Sequence, residues 1–261
     1  RRHGTGMCPA SWPDTSNPAC SFIWTHCLWG QTGKYSDAPC ANNMKATMTD
    51  AIKLDIISDP ICPWCYIGKT HLDKAIAAQP DHPFQIEWHP FQLNPDMPAG
   101  GMDRRVYLEG KFGGKEGAVR AYAPVLEHAE AAGLNIDFEA IKHTPNTLDA
   151  HRLIHWAGIE GRQTAAVSAL FDAYFVQGRD IGDHEVLADI ADSIGMDAAV
   201  VLKLLKSDAD VEDIRTRDAH SRKMGVNSVP TFIVASQHAV PGAQPPELWA
   251  KVISELRAKT E

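Results

Sequence analysis

Two cysteines separated by two residues, Cys62 and Cys65 in "SDPICPWCYIGK" (Ser58 to Lys69), have the clearest capacity for chemistry in this chain. A Cys-x-x-Cys supplies either two of the four ligands of a zinc site or a thiol pair that cycles between dithiol and disulfide. The zinc reading lacks its other half. From Met44 onward the chain has no further cysteine, and no histidine pair follows Cys65 at zinc-finger distance. The redox reading has what it needs if Cys62 lies at the end of a strand and the start of a helix. There, unpaired backbone N–H groups and the positive end of the helix dipole favour thiolate over thiol. Cys65, one turn on and less exposed, is then placed to attack a mixed disulfide on Cys62 and release the partner. Pro63 and Trp64 are expected to tune the pair through the geometry of the helix start and the solvation of the thiolate. Asp59 is read as a cap on the preceding turn rather than a proton relay.

The elements around the pair fit that requirement. "AIKLDIIS" alternates and then runs apolar, which predicts a strand from Ala51 ending near Ser58. Pro63 suits the first turn of a helix, and Ile67, Leu72 and Ile76 continue it as buried positions up to Pro80. Pro83 to Leu93 predicts a second strand, parallel to the first. From Asn94 a Gly- and Pro-rich loop leads into helices predicted over Gly117–Ala132, Thr147–Gly158, Thr164–Gln177, His184–Ile194 and Ala198–Lys206, with no strand pattern between them. A helix over Ala209–Met224, a strand over Val229–Ser236, a short strand near His238–Val240 and a helix over Pro246–Lys259 complete the chain. "TFIV" is uninterruptedly apolar, as a strand covered on both faces should be. Pro230, immediately before that strand, marks a special backbone geometry. A cis Val229–Pro230 bond would sit beside Cys62 and present the Val229 backbone to an extended substrate peptide. His151, His155 and Trp156, at helical spacing, read first as packed core residues.

The first 43 residues differ from the rest. They hold four of the six cysteines (Cys8, Cys20, Cys27, Cys40) and three tryptophans, with few charges and no sustained period. Arg1 and Arg2 are followed by no apolar signal region, and the cysteine spacings lack the close pairs of a zinc module. The segment is read as a disordered or mis-started extension, with Met44 and Met48 as candidate starts. Across 261 residues, 44% hydrophobic and 22% charged, the composition is that of a soluble globular protein. A net charge of -8 without a basic run argues against binding nucleic acid or an anionic membrane surface. No stretch approaches the roughly 18 to 20 apolar residues of a membrane span. The expected compartment is the cytoplasm.

The segments "DPICPWCYIGK", "WHPFQLNPDMP", "NTLDAHRLIHWA", "GVNSVPTFIV" and "VPGAQPPELW" together resemble the DsbA-like thioredoxin-fold proteins, most closely their FrnE-type branch, from about Ile52 to Leu256. The resemblance implies an α/β, thioredoxin-like fold with an inserted all-helical domain. Its thioredoxin-like part would span 48–94 and 207–261, its helical insertion 95–206, and the extension 1–47. It implies Cys62 as nucleophile, Cys65 as resolving cysteine, Pro230 as the cis proline, and Asn146 and His151 on an insertion helix facing the site beside Val229. The implied activity is that of a thiol–disulfide oxidoreductase or isomerase. No bound cofactor or metal is expected. The partners would be protein or small-molecule thiols and disulfides, with glutathione as a candidate redox partner or co-substrate, and a homodimer is a candidate assembly. Two alternatives stay open. The same superfamily holds glutathione-dependent isomerases and transferases, which typically carry serine at the position of Cys62. A non-enzymatic peptide- or partner-binding module would use the groove beside Pro230 and leave the cysteines incidental.

Overall fold

The computed structural model describes residues 51–260; the expected extension 1–47, with its four cysteines and the candidate start Met44, lies outside the described residues, as does Met48. The order begins β1 (Ile52–Ser58), α1 (Pro63–Ala78), β2 (Phe84–Pro90). It continues β3 (Met102–Asp103), α2 (Arg104–Phe112), α3 (Lys115–Ala131), β4 (His143–Thr144), α4 (Leu148–Ile159), α5 (Gln163–Phe175), α6 (His184–Ser193), α7 (Ala198–Leu205) and α8 (Val211–Lys223). β5 (Thr231–Val234), β6 (His238–Pro241) and α9 (Pro246–Thr260) close it.

The main sheet has the order β2-β1-β5-β6. β1 runs parallel to β2, with Ile56 opposite Trp88, and antiparallel to β5, with Ile56 opposite Phe232. A central strand must be apolar on both faces, and in β1 Leu54, Ile56 and Ile57 are all buried. Each such side chain contributes about 1.5–3 kcal/mol by leaving water. α1 packs against α9, whose Trp249 meets Phe232 and Phe84 edge-on at ring distances of 4.7 and 6.5 Å. Helices α4, α5 and α8 contact β2. The α/β architecture expected from the sequence, a mixed four-stranded sheet with a long helical stretch between β2 and β5, is the one observed.

Three local features differ from the expectation. The stretch between β2 and β5 is helical apart from a two-residue ladder, Met102 and Asp103 opposite Thr144 and His143. Helix α2 falls between the expected loop and the first expected helix, where the sequence assigns no element, because its one buried residue is Arg104 and no apolar period announces it; Asp103 caps it, accepting from Val106 N at 3.0 Å. Strand β5 ends at Val234, two residues early, because Ala235 and Ser236 adopt left-handed φ of 53° and 56° and turn the chain into β6.

Candidate active site

Cys62 is the N-cap residue of α1, with Pro63 in the first turn and no acidic side chain there. Its carbonyl accepts from Cys65 N at 3.0 Å and Tyr66 N at 3.3 Å. The Val229–Pro230 bond is cis, and the Cys62 thiol donates to the Val229 carbonyl at 3.7 Å. Pro230 rests over α1 at Gly68, where a Cβ would lie 3.0 Å from the proline Cγ. The glycine thus permits the close approach that carries Val229 to Cys62.

Both thiols are free, and both are buried. Cys62 opens on a cavity of about 300 Å³, whose lining also includes Pro63, Trp64, Tyr122, Tyr174 and Val229. Cys65 points inward. Burial pushes its thiol well above the ordinary value, and the neighbouring Cys62 adds to that; the Ser58 hydroxyl and the Asp59 backbone act in the opposite sense. Trp64 is steadied edge-on against His128 at 5.2 Å.

Behind the pair lies Asp59, fully buried. It caps the turn, accepting from Ile61 N at 3.3 Å, and it also ties in Leu93 N at 2.7 Å. Burial raises its carboxyl from 3.8 to about 7, against the pull of those N–H donors. His151, on α4, places Nε2 4.0 Å from Asp59 Oδ1. Burial lowers its imidazole from 6.5 to about 4. A protonated acid therefore faces a neutral histidine at mildly acidic pH.

The structure brings Cys62, Pro63, Trp64 and Val229 together around the cavity and sets Cys65 and Pro230 directly beside them. It places Asn146 and His151 elsewhere. Asn146 precedes α4 rather than lying on it; it accepts from Gln92 Nε2 and Leu148 N and donates to the Met97 carbonyl, so it fastens the loop after β2 to the start of α4. His151 is on the expected helix, but it packs behind Asp59 and is not in the lining of the Cys62 cavity. Asn146 is kept from the cavity by its bonds to the loop after β2, and His151 by the inward turn of its α4 face towards Asp59.

Sequence reading missed much of the cavity's lining: Arg104, Tyr107 and Lys111 of α2, Tyr122 of α3 and Tyr174 of α5. The first three are spaced i, i+3, i+7, which puts them on one helix face. That signal was available only once α2 was known to be a helix. Among the described residues, Asp55, Glu87 and His89 approach one another closely enough to hold a metal. Those carboxylates are already answered by cations, Lys53 at 2.9 and 3.0 Å from Asp55 and Glu87 and Arg217 at 3.3 Å from Glu87. They form an ion network on β1 and β2, outside the cavity at Cys62.

Comparison with known proteins agrees with this geometry. Residues 53–254 match the DSBA-like thioredoxin domain family. The chain is 26% identical over 210 residues to the protein YwbO of Bacillus subtilis (strain 168), covering 80% of this chain and 98% of that one. Its fold is similar to a probable DsbA oxidoreductase of Streptomyces coelicolor, with a TM-score of 0.71, 29% identity, and 80% and 91% of the two chains covered. It is also similar to the cytosolic disulfide reductase DsbM of Pseudomonas aeruginosa, solved with GSH, with a TM-score of 0.58, 19% identity, and coverage of 78% and 99%.

Proposed function

From the premise that the chain belongs to the DSBA-like thioredoxin domain family, we propose that it is a thiol–disulfide oxidoreductase working through Cys62 and Cys65. The observation that carries this reading is the placement of the two thiols: one at the N-cap of α1, opening on a cavity, and one a turn later with its proton held by burial. The Cys62 thiolate attacks one sulfur of a substrate disulfide. A Cys62–substrate mixed disulfide forms, the substrate S–S bond breaks, and the other half leaves as a thiolate. The Cys65 thiol then gives up its proton and attacks the Cys62 sulfur, forming the Cys62–Cys65 disulfide and releasing the second half as a thiolate. Two electrons pass from the pair to the substrate, and two protons complete the released thiols. An external thiol returns the pair to the dithiol, and glutathione is the thiol we assign to that step. Running in reverse, the same steps donate a disulfide.

The Val229 carbonyl, beside the nucleophile, is offered to the backbone of a bound peptide or peptide-like thiol. A cycle closed by glutathione suits a reducing compartment, and the cytoplasm is the setting proposed. Among the described residues no helix is long and apolar enough to cross a membrane. The test is a trap. Cys65→Ser incubated with a substrate disulfide is expected to accumulate a covalent adduct on Cys62, and Cys62→Ser is expected to form none. A Cys65→Ser protein that turns over fully and traps nothing would refute the two-cysteine mechanism.

A further inference from the structure

The lining of the cavity at Cys62 includes two cations, Arg104 and Lys111, for which the described residues provide no carboxylate ion pair. Arg104, the first residue of α2, is 7% exposed and lines the cavity. Its guanidinium donates to the Tyr174 and Tyr122 hydroxyls, each at 3.2 Å, and lies 5.4 and 5.5 Å from the ring centres of Tyr122 and Phe138. These are dipoles and ring faces, which steady a cation without cancelling its charge. Among the described residues no carboxylate comes within 4 Å of it. Lys111, also in the cavity lining, is held by Tyr107 at 2.7 Å and Asn94 at 3.3 Å, both neutral. Lys111 also acts electrostatically on Asp59, whose two oxygens are already occupied by backbone N–H groups.

A guanidinium is always charged, and burying it unpaired is costly. It keeps donors beyond the two given to the phenols, arranged to grip a carboxylate through two parallel bonds. The chain as a whole is acidic, at -8, so this local excess of cation is not a general property of its surface. At about 300 Å³ the cavity is at the small end of ligand pockets and suits a small molecule or one side chain. We propose that Arg104, assisted by Lys111, is an anion subsite that selects low-molecular-weight disulfides bearing carboxylates, holding the carboxylate while Cys62 attacks the sulfur. This rests on the oxidoreductase reading and names its substrate class.

Two disulfides of similar length distinguish the charge: bis(2-carboxyethyl) disulfide and bis(2-hydroxyethyl) disulfide. The reduced full chain is mixed with each, and loss of the Cys62–Cys65 dithiol is followed by rapid alkylation. Rates are divided by those of free dithiothreitol with the same disulfide, which removes the intrinsic reactivity of each. The native protein is expected to prefer the dicarboxylate at least tenfold, and added salt should weaken the preference. Arg104→Met should lower that preference about tenfold, through a higher half-saturating concentration of the dicarboxylate, and Arg104→Lys should restore part of it. Lys111→Gln should lower it about threefold, and reports separately if Arg104→Met fails to fold. A native protein without preference, or Arg104 variants that slow both disulfides equally, would overturn the subsite while leaving the oxidoreductase reading intact. A native protein that reduces neither disulfide and traps no adduct in the Cys65→Ser form would overturn that reading, and the subsite with it.

Discussion

Replacing His151 by asparagine should change how stability depends on pH. In the folded protein burial holds the imidazole at about 4, whereas in the unfolded chain it titrates near its ordinary 6.5. Between those values the unfolded chain binds a proton that the folded one refuses. Stability is therefore lost as pH falls from about 6.5 towards 4. The gap is worth about 3 kcal/mol, at 1.36 kcal/mol for each tenfold change in proton affinity. Asp59 works in the opposite sense. Its folded value, near 7, lies above its ordinary 3.8, so the folded protein keeps a proton that the unfolded chain releases. Stability rises as pH falls from about 7 towards 4, by about 4 kcal/mol. The two contributions oppose one another across nearly the same window, and in the native protein they largely cancel. Asparagine keeps a donor for the Phe91 backbone, to which His151 is hydrogen-bonded, and removes the titration. Urea unfolding at steps between about pH 4 and 7.5 gives the free-energy profile of each protein. Their difference isolates His151, because the other groups are common to both. The variant is expected to gain about 3 kcal/mol relative to the native protein between pH 7 and pH 4. Profiles that run parallel within about 0.5 kcal/mol over that range would show that the imidazole is not held neutral, and the reasoning about this buried pair would fail.

Other perturbations test the packing that holds the site. Gly68→Val would press on Pro230 and on the Ala243 backbone; it should cost about 1–3 kcal/mol in denaturant unfolding and slow the reaction at Cys62 by shifting Val229. Arg152, buried in α4, donates to the carbonyls of Ala209, Leu204 and Ser207 and pairs with Asp149 at 2.7 Å. Arg152→Met would strand those acceptors and should cost about 3–5 kcal/mol, read as a drop in urea midpoint at unchanged slope. Trp249→Ala would remove the side chain between Phe232 and Phe84 and should cost about 3–5 kcal/mol by the same measurement.

The fold was legible wherever a local rule and the global requirement agreed. β1 is apolar because it is central, and Pro63 announces α1 because a first-turn proline loses nothing. The helices α6 and α7 begin at Asp183 and Asp197, whose side chains each accept two backbone N–H groups. The thiol pair, the cis bond and the Asp59 cap were legible for the same reason. Helix α2 was not, since its inward face is a cation and a phenol, and apolar periodicity cannot report a helix that buries arginine. The cavity wall was lost with it. Asn146 and His151 were drawn to the site by resemblance, and only the packing shows that one fastens a loop and the other lies behind Asp59. Ala235 and Ser236 gave no warning of a turn, because neither residue type favours the left-handed backbone that ends β5.

The most direct test of the central claim is a redox titration of the full chain in glutathione buffers, quenched with an alkylating agent and read by mass spectrometry on the peptide carrying Cys62 and Cys65. Reading one peptide separates this pair from the N-terminal cysteines. A single reversible two-electron transition between dithiol and Cys62–Cys65 disulfide, lost in Cys65→Ser, is the result the mechanism predicts. A pair that stays reduced throughout, or that yields only a persistent glutathione adduct on Cys62 in the native protein, would contradict it.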